Sequence, residues 1–339
     1  MQGVMYTIFY GSILWSRYKQ HAVTIDMLKI SKRPFIWIGF WDCLGDILGN
    51  IGTGNLPGYQ VPLLAKLNII FTAMFSSWIL KKIYTKSQIS AMAVVLCGSI
   101  ITLLPVILNQ IFSNDNDDDM SSNNDTHATT TSLFYAIVYV ASVAPTALAF
   151  VLKEQIFQQH AELNLDIFVV NTYGSIVSLV FTIILLPLAS VPGFGEIPLS
   201  ELPTYMKNGF QCFRGINPTI DDDCEGAPLA PMLYFCINVI YNICILALVK
   251  HGGALLTFLT NTVTFPLSTI LFTLSWPLLG SSTLSGFVIA GLVVELSGVV
   301  FYQRASSLAI KSLVDEDVEE EQLELLNETN PIEGDYGSM

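Results

Sequence analysis

Apolar residues fall into nine long stretches that follow one another from Gln2 to Gln303. Because a helix needs about 20 residues to cross the hydrocarbon core of a bilayer, most of these stretches have the length of a membrane span. The pattern predicts an all-α polytopic membrane protein. The predicted spans, named a to i, are residues 2–16, 34–53, 56–80, 87–112, 132–152, 165–189, 228–249, 253–275 and 284–303.

Composition agrees with this pattern, since 52% of the residues are hydrophobic and 13% are charged, with a mean hydropathy of +0.55. The net charge of -13 lies in loops and in the tail, so it indicates neither a basic partner nor nucleic acid. The chain therefore divides into four regions: a first half of four spans (1–112), an acidic lumenal segment predicted to be disordered (113–131), a second half of five spans with a long loop at 190–227 (132–303), and an acidic tail (304–339).

Lysine and arginine predict the orientation, because short cytoplasmic loops retain these residues. Basic residues cluster between spans a and b and between c and d, whereas residues 113–131 and 276–283 contain none. The first two links are therefore predicted to be cytoplasmic and the other two lumenal. The same alternation places Lys153, Lys250 and the C-terminal tail in the cytoplasm and the 190–227 loop in the lumen.

This orientation puts the first residue outside, and span a is short. We therefore expect a further N-terminal helix to precede it; the alternative is a true nine-span protein with an uncleaved outside start. A faint internal repeat supports two inverted halves of five helices each, since Gly54 and Gly252 are each followed 23 residues later by Ser-Trp. The two Ser-Trp pairs lie in spans predicted to run in opposite directions.

Six cysteines fall into two groups. Cys212 and Cys224 lie twelve residues apart in the 190–227 loop, where an oxidising lumen would join them and stabilise the loop by about 3 kcal/mol. Two free thiols are the alternative. No spacing of Cys or His resembles a metal site, and no cofactor is expected. The other four lie in spans and are interpreted as packing residues: Cys43, Cys97, Cys236 and Cys244.

The long loop also carries a family resemblance. Its runs Lys207-Asn-Gly-Phe-Gln-Cys212 and Cys224-Glu-Gly-Ala227 resemble the lumenal loop of the chloroquine-resistance-transporter-like (CRT-like) family of the drug/metabolite transporter superfamily. Three further stretches are similar in the same order along the chain: Thr53-Gly54-Asn55, Lys153-Glu-Gln-Ile-Phe157 and Gly298-Val-Val-Phe-Tyr302.

The resemblance implies a ten-helix bundle of two inverted halves, whose first helix is the one absent here. It implies transport of amino acids, small peptides or thiol peptides across vacuolar, endolysosomal or plastid membranes. Malarial members have more cysteines in this loop and an Asp-Asn pair in the next span, where this chain has Tyr241-Asn242. If that acid helps to select cations in those members, the resemblance does not carry their cation selectivity over to this chain.

Four charged residues lie well inside spans: Asp42, Asp46, Lys66 and Glu295. Such charges usually face a cavity or one another, because a charge at mid-bilayer costs about 2.5–3.5 kcal/mol on insertion scales. Asp42 and Asp46 are one turn apart and share a helix face, and Lys66 is a predicted partner for one of them. Either the pair only fixes helix packing, or Lys66 binds an anionic group of a solute while an acid is displaced or takes up a proton.

Glu295 is surrounded in sequence by Leu, Val and Gly. It is a candidate proton carrier between an acidic lumen and the cytoplasm, the alternative being a hydrogen bond between packed helices. Neutral polar residues mark a further candidate path, although several are expected to serve helix contacts alone. Those taken as candidates are Asn68, Asn242 and Asn261.

Two motifs concern processing and sorting. Asn124-Asp-Thr is a glycosylation sequon on the predicted lumenal side, where it is either modified or too close to the membrane. The tail contains Glu321-Gln-Leu-Glu-Leu325-Leu326, which fits an acidic dileucine signal for clathrin adaptors in endolysosomal sorting. The alternative is an ordinary solvated segment.

Enzyme classes find little support. The sequence contains no Gly-x-x-x-x-Gly-Lys-Ser/Thr run for ATP and no His-Glu-x-x-His. Leu44-Gly45-Asp46 together with Asp42 is similar to part of an intramembrane aspartyl protease motif, but such a dyad needs its acids on two facing helices. A channel would show a polar pore stripe or filter, and a receptor would more typically have seven spans.

The sequence thus predicts a proton-coupled secondary carrier of amino acids or small peptides in a vacuolar or endolysosomal membrane, which helps to set the osmotic balance of that compartment. Its partners would be the solute, protons, the lipid bilayer and a clathrin adaptor. The alternative within the same class is a plastid carrier of thiols or glutathione precursors.

Overall fold

The computed structural model describes residues 2–56, 60–114, 125–190, 198–218, 224, 226–264 and 286–329. Within these ranges the regular structure is entirely helical. The helices are α1 (Gln2–Lys19), α2 (Ile25–Lys29), α3 (Arg33–Asn55), α4 (Gln60–Ala65), α5 (Leu67–Ile79), α6 (Lys86–Asn114), α7 (Asp125–Gln159), α8 (Ile167–Leu185), α9 (Leu202–Phe213), α10 (Leu229–Thr262) and α11 (Gly286–Thr329), with a 3-10 turn at Leu186–Ser190.

In the described part of the chain, three helical segments are long and apolar enough to cross a bilayer: Phe134–Gln159, Ile167–Leu188 and Pro231–Thr262. Leu67–Ile79 and Lys86–Ile101 are apolar but shorter. Outward-facing side chains on the long segments, such as Ile137, Ile183 and Ile240, are at least 60% exposed. An apolar exterior of this kind suits a lipid environment.

The predicted spans c, g and h can be compared with the helices observed. Span c is divided into α4 and α5 at Lys66. Spans g and h both lie in α10, which consists of two helices joined at a kink at Gly253 (φ 83°, ψ 166°), where the predicted span h begins. Disorder over 113–131 stays a prediction: α6 runs to Asn114, α7 begins at Asp125, and residues 115–124 lie outside the described residues. The nine-span inverted repeat stays a prediction.

Helix α7 lies at the centre of the bundle, packed against α3, α5 and α10, while α8 packs on α1 and α3. Helices α6 and α11 form a second closely packed pair. A buried apolar cluster that includes Ile69, Val95, Leu259 and Val299 joins α5, α6, α10 and α11. A second cluster, including Phe35 and Val169, joins α3 and α8.

Polar contacts gather four of the predicted links at one end of the bundle. Arg17 at the end of α1 binds Asp166 at 2.8 Å, and Asp166 also caps α8 by accepting from the Phe168 backbone N–H. Lys250 donates to Asn164 at 2.8 Å. Lys82, in the link between α5 and α6, pairs with Glu154 near the end of α7. The charge pattern had assigned these links to a common side.

Glycines allow α3 to approach its neighbours closely. A Cβ on Gly39 would lie 2.9 Å from the Ser178 backbone N on α8, and one on Gly52 would lie 3.0 Å from Tyr139 Cα on α7. Both distances are shorter than van der Waals contact with backbone atoms that cannot rotate away. Small residues at such crossings let membrane helices pack through their backbones.

We therefore expect Gly39→Ala to lower the free energy of unfolding by about 1–3 kcal/mol, because the new methyl group overpacks the α3–α8 contact. The thermal midpoint of detergent-solubilised protein measures this change. Gly174→Ala on α8 is the matched control, since its Cβ position meets nothing within 4 Å beyond its chain neighbours and the nearby backbone of its own helix. Alanine favours a helix over glycine, so the control should be neutral or stabilising. Equal midpoints for the two variants would contradict the close-packing account.

Candidate functional site

Lys66 is the one residue between α4 and α5, and its backbone is itself close to helical (φ -65°, ψ -20°). Its side chain is only 10% exposed. The ammonium nitrogen donates to the backbone carbonyl of Thr262, at 2.9 Å. Thr262 is the last residue of α10, and carbonyls at the end of a helix carry partial negative charge. The broken span therefore directs its cation at the end of a neighbouring helix.

Glu295 on α11 is the second polar neighbour of Lys66. Its Oε1 lies 3.9 Å from Lys66 Nζ and accepts a hydrogen bond of 2.6 Å from Ser99 Oγ on α6. Glu295 is fully buried, and its Oε2 has no hydrogen-bond partner among the described residues. Glu295 is therefore not the isolated acid that its sequence neighbours suggested, because folding brings it to Lys66.

The position of Glu295 depends on a close crossing of α6 and α11. A Cβ on Gly98 would lie 2.8 Å from the backbone N of Glu295 and 2.7 Å from its Cγ. A Cβ on Gly298 would lie 3.0 Å from the backbone N of Val95. Glycine at both positions lets the two backbones meet, which places the Glu295 carboxylate against Ser99, the residue next to Gly98.

The two aspartates belong to a different contact. Asp42 Oδ2 lies 2.7 Å from Lys153 Nζ on α7, and Asp46, one turn further along α3, is exposed. The prediction that Lys66 pairs with Asp42 or Asp46 is wrong. The physical reason is that α3 packs on α7, which supplies Lys153 as the partner of Asp42. Lys66 instead contacts Thr262 at the end of α10 and Glu295 on α11.

The three candidate amides have separate surroundings. Asn261 lies beside Thr262 and accepts a hydrogen bond of 2.9 Å from Tyr241 Oη. Asn242 donates to Asn238 within α10, a contact that holds one helix together. The side-chain oxygen of Asn68 is buried and has no partner within the part of the chain that the structure describes. Of the three, Asn261 is the one that is adjacent in sequence to Thr262, whose carbonyl binds Lys66.

Sequence reasoning overlooked Glu154, which is 3% exposed. Its Oε2 accepts from the backbone N–H of Ala254 at 2.9 Å, and its Oε1 pairs with Lys82 and accepts from Gln158 Nε2. Nearby, burial together with the Glu154 charge raises the pKa of Tyr84 to about 12. The available signal was an acid two residues after the predicted end of span e, next to Lys153.

The remaining predicted positions are the loop cysteines, the sequon and the sorting motif. Cys212 on α9 and Cys224 are joined by a disulfide, with Cα atoms 5.1 Å apart. Asn124 lies outside the described residues. Glu321, Leu325 and Leu326 lie within α11, which continues through the acidic tail to Thr329.

The arrangement provides one buried cation with donors to spare and one buried acid with a free oxygen. An ammonium has three N–H donors, and Lys66 uses one of them on Thr262. An incoming carboxylate could therefore bind Lys66 in place of Glu295. Within the described ranges, no group of three or more His, Cys, Asp or Glu could hold a metal ion.

Buried charges at a broken helix are typical of membrane carriers. Comparison with known families agrees: a family model described as CRT-like, chloroquine-resistance transporter-like, matches residues 1–302. The chain belongs to the CRT-like family.

Curated relatives support this assignment. The chain is 32% identical over 303 residues to Protein CLT1, chloroplastic, of Arabidopsis thaliana, covering 88% of this chain and 64% of that protein. It is 29% identical to Crt homolog 1 of Dictyostelium discoideum (82% and 61% covered) and 26% identical to the chloroquine resistance transporter of Toxoplasma gondii (91% and 35% covered). The chain thus spans less than two thirds of the length of these relatives.

The Lys66–Glu295 contact can be tested by stability alone. We expect Lys66→Met to lower the free energy of unfolding by about 3 kcal/mol, because it leaves Glu295 as an uncompensated buried charge. Glu295→Gln should act in the same direction through Lys66. The double variant should be close to the parent protein, since it removes both charges and keeps an acceptor for Ser99.

A double-mutant cycle of thermal midpoints in detergent measures the coupling. Additive losses in the double variant would show that the two side chains do not interact.

Proposed function

We propose that this protein is a proton-coupled secondary carrier of small solutes that contain a carboxylate, with amino acids and small peptides as the main class. The observation that supports it is the buried Lys66–Glu295 pair, in which Lys66 also binds the end of α10. Amino acids and peptides present a carboxylate, the group best suited to an ammonium with unused donors.

Charge balance supports the coupling to protons. In the empty carrier Lys66 is compensated by Glu295; when a solute carboxylate takes that place, Glu295 would become an unpaired charge in a water-poor site. Such a charge costs several kcal/mol, and a proton on Glu295 removes that cost. Solute and proton would therefore be bound together and released together. Glu295 Oε2, which has no partner among the described residues, is the atom available to take up the proton.

The Asp42–Lys153 pair would then have a structural role. Asp42 and Lys153 join α3 to α7, and the partner that Asp42 finds across the helix interface is a base. An aspartyl protease would need a second acid at that place. The contact therefore favours the carrier over the protease interpretation.

Uptake into proteoliposomes tests the proposal. With a mixed pool of amino acids and dipeptides, solute should accumulate when the outside is more acidic than the inside, and an uncoupler should abolish the accumulation. Lys66→Ala should reduce the rate at least about tenfold, the loss expected when one charge-assisted hydrogen bond is removed. Glu295→Gln should leave binding but make uptake insensitive to the pH gradient.

Two exposed residues supply matched controls, Lys86→Ala and Glu162→Gln, both expected to transport normally. A normal rate for Lys66→Ala at ordinary protein levels would remove the binding role. An unchanged pH dependence for Glu295→Gln would remove the coupling role.

For the compartment, we propose a vacuolar or endolysosomal membrane with the acidic tail in the cytoplasm, where the carrier would help to set osmotic balance. The acidic dileucine run at Glu321, Leu325 and Leu326 supports this location and contact with a clathrin adaptor. A plastid membrane and a thiol or glutathione-precursor solute form the second candidate, favoured by the relatives named as chloroplastic. Glycosylation of Asn124 would belong to the endolysosomal route.

Microscopy of the tagged protein in cells distinguishes the two locations. The parent protein should lie in endolysosomal membranes, and Leu325→Ala/Leu326→Ala should move to the plasma membrane because the adaptor loses both leucines. Leu308→Ala, an exposed leucine earlier in α11, is the control and should keep the parent location. Plastid fluorescence, or an unchanged location of the double variant, would contradict sorting by this signal.

A further inference from the structure

Helix α10 is interrupted at one residue and starts again. Gly253 has a φ of 83°, a conformation that glycine adopts readily and other residues rarely do. The nine residues that follow, Ala254–Thr262, form the terminal segment of α10. The first backbone N–H groups of this segment have no acceptor within the segment itself. They therefore need an acceptor from another part of the protein.

Glu154 on α7 provides that acceptor. Its carboxylate binds the backbone N–H of Ala254 at 2.9 Å, at the end of the segment where the helix dipole favours negative charge. The fit is close, because a Cβ on Gly253 would lie 2.6 Å from Glu154 Oε1 and 3.2 Å from Lys82 Nζ. Glycine is thus required at this position for two independent reasons, its backbone angle and the space taken by Glu154.

The opposite end of the same segment reaches the candidate binding site. Its last residue, Thr262, offers the carbonyl that accepts from Lys66 Nζ, and its neighbour Asn261 binds Tyr241. Nine helical residues are about 13 Å long and behave as a rigid rod. A contact that fixes the first N–H of the rod therefore also fixes the carbonyl at its far end.

We infer that Glu154 is a positioning residue for the Lys66 site: by capping Ala254, it holds the terminal segment of α10 in register, and with it the carbonyl to which Lys66 binds. Lys82 partly neutralises the buried carboxylate and connects this cap to the link between α5 and α6. A movement of that link would then reach the binding site through one short helix. The inference rests on the proposed function only because that function assigns solute binding to the Lys66 site.

Thiol labelling tests the position of the segment without any transport assay. Thr262→Cys places a nearly isosteric probe where the side chain is 5% exposed, in a background with serine at the exposed cysteines 97, 236 and 244. With Glu154 present, N-ethylmaleimide should label this probe slowly. Glu154→Ala should accelerate the labelling about tenfold, the shift expected when one charge-assisted hydrogen bond is lost.

Two further variants separate the cap from the ion pair. Glu154→Gln/Lys82→Met removes both charges but keeps a carbonyl oxygen for Ala254, so labelling should stay near the parent rate. Gly253→Ala retains the Glu154 side chain, but the new methyl group displaces its carboxylate from Ala254, so labelling should accelerate as in Glu154→Ala. If Glu154→Ala fails to fold, Gly253→Ala carries the same test. Glu162→Ala, on the exposed link after α7, is the control and should label like the parent.

Labelling that is unchanged in Glu154→Ala and Gly253→Ala would overturn the inference. Equal acceleration in Glu154→Gln/Lys82→Met would also overturn it, because the ion pair and not the cap would then hold the segment. In transport, Glu154→Ala should raise KM more than it lowers the maximal rate, whereas a general loss of folded protein lowers the maximal rate alone. Absence of transport with the expected labelling pattern would count against the proposed function and leave the positioning role intact.

Discussion

Charge pairing between the two halves of the chain is the constraint on which the rest of this bundle depends. Within the described ranges, each of the four ion pairs joins a residue of 1–112 to a residue of 132–303: Arg17–Asp166, Lys66–Glu295, Lys82–Glu154 and Lys153–Asp42. The acids Asp166, Glu154 and Glu295 are buried, and a buried charge without a partner is expensive, so each of them restricts where its partner's helix can lie. The pairs therefore fix how the halves meet, and any movement of one half against the other must exchange or break them.

Close helix packing gives these pairs their geometry. Lipid provides no hydrophobic force between helices, so membrane helices associate through packing and polar contacts, and glycine brings backbones close enough for short side chains to meet. At the α6–α11 crossing, Gly98 and Gly298 bring the backbones together, and Ser99 reaches Glu295 with a single hydroxyl group. Substitution at such glycines would therefore alter the polar site as well as the packing.

Interrupted helices provide the polar ends that the site uses. The break at Lys66 and the Gly253 kink in α10 lie at opposite ends of one connected path, from Lys66 through the Ala254–Thr262 segment to Glu154. At one end the Lys66 cation binds one helix carbonyl, and at the other the Glu154 carboxylate binds a helix N–H, so both charges match the helix dipole. The Ala254–Thr262 segment thus stabilises the charges of Lys66 and Glu154 and also connects the two residues through one rigid helix.

Patterns of local origin were visible in the sequence alone. Helical periods, apolar length and the basic links follow from neighbouring residues, and they predicted an all-helical membrane protein and the common end of four links. The charged residues inside spans were also visible, and the paired loop cysteines are joined in the structure. These features depend on residues that are close together in the chain, so they can be read from the sequence without knowledge of the tertiary structure.

Partner choice was decided only by the tertiary structure. Lys66 and Glu295 are 229 positions apart, and nothing local distinguishes Glu295 from the nearer Asp42 or Asp46 as a partner for Lys66. The choice follows from which helix faces lie together, and that depends on glycine crossings such as Gly39 against α8 and Gly98 against α11. Glu154 was missed for the same reason, since its acceptor role arises only where α10 restarts beside α7. The sequence by itself determined which groups needed partners, and long-range packing determined which partners they found.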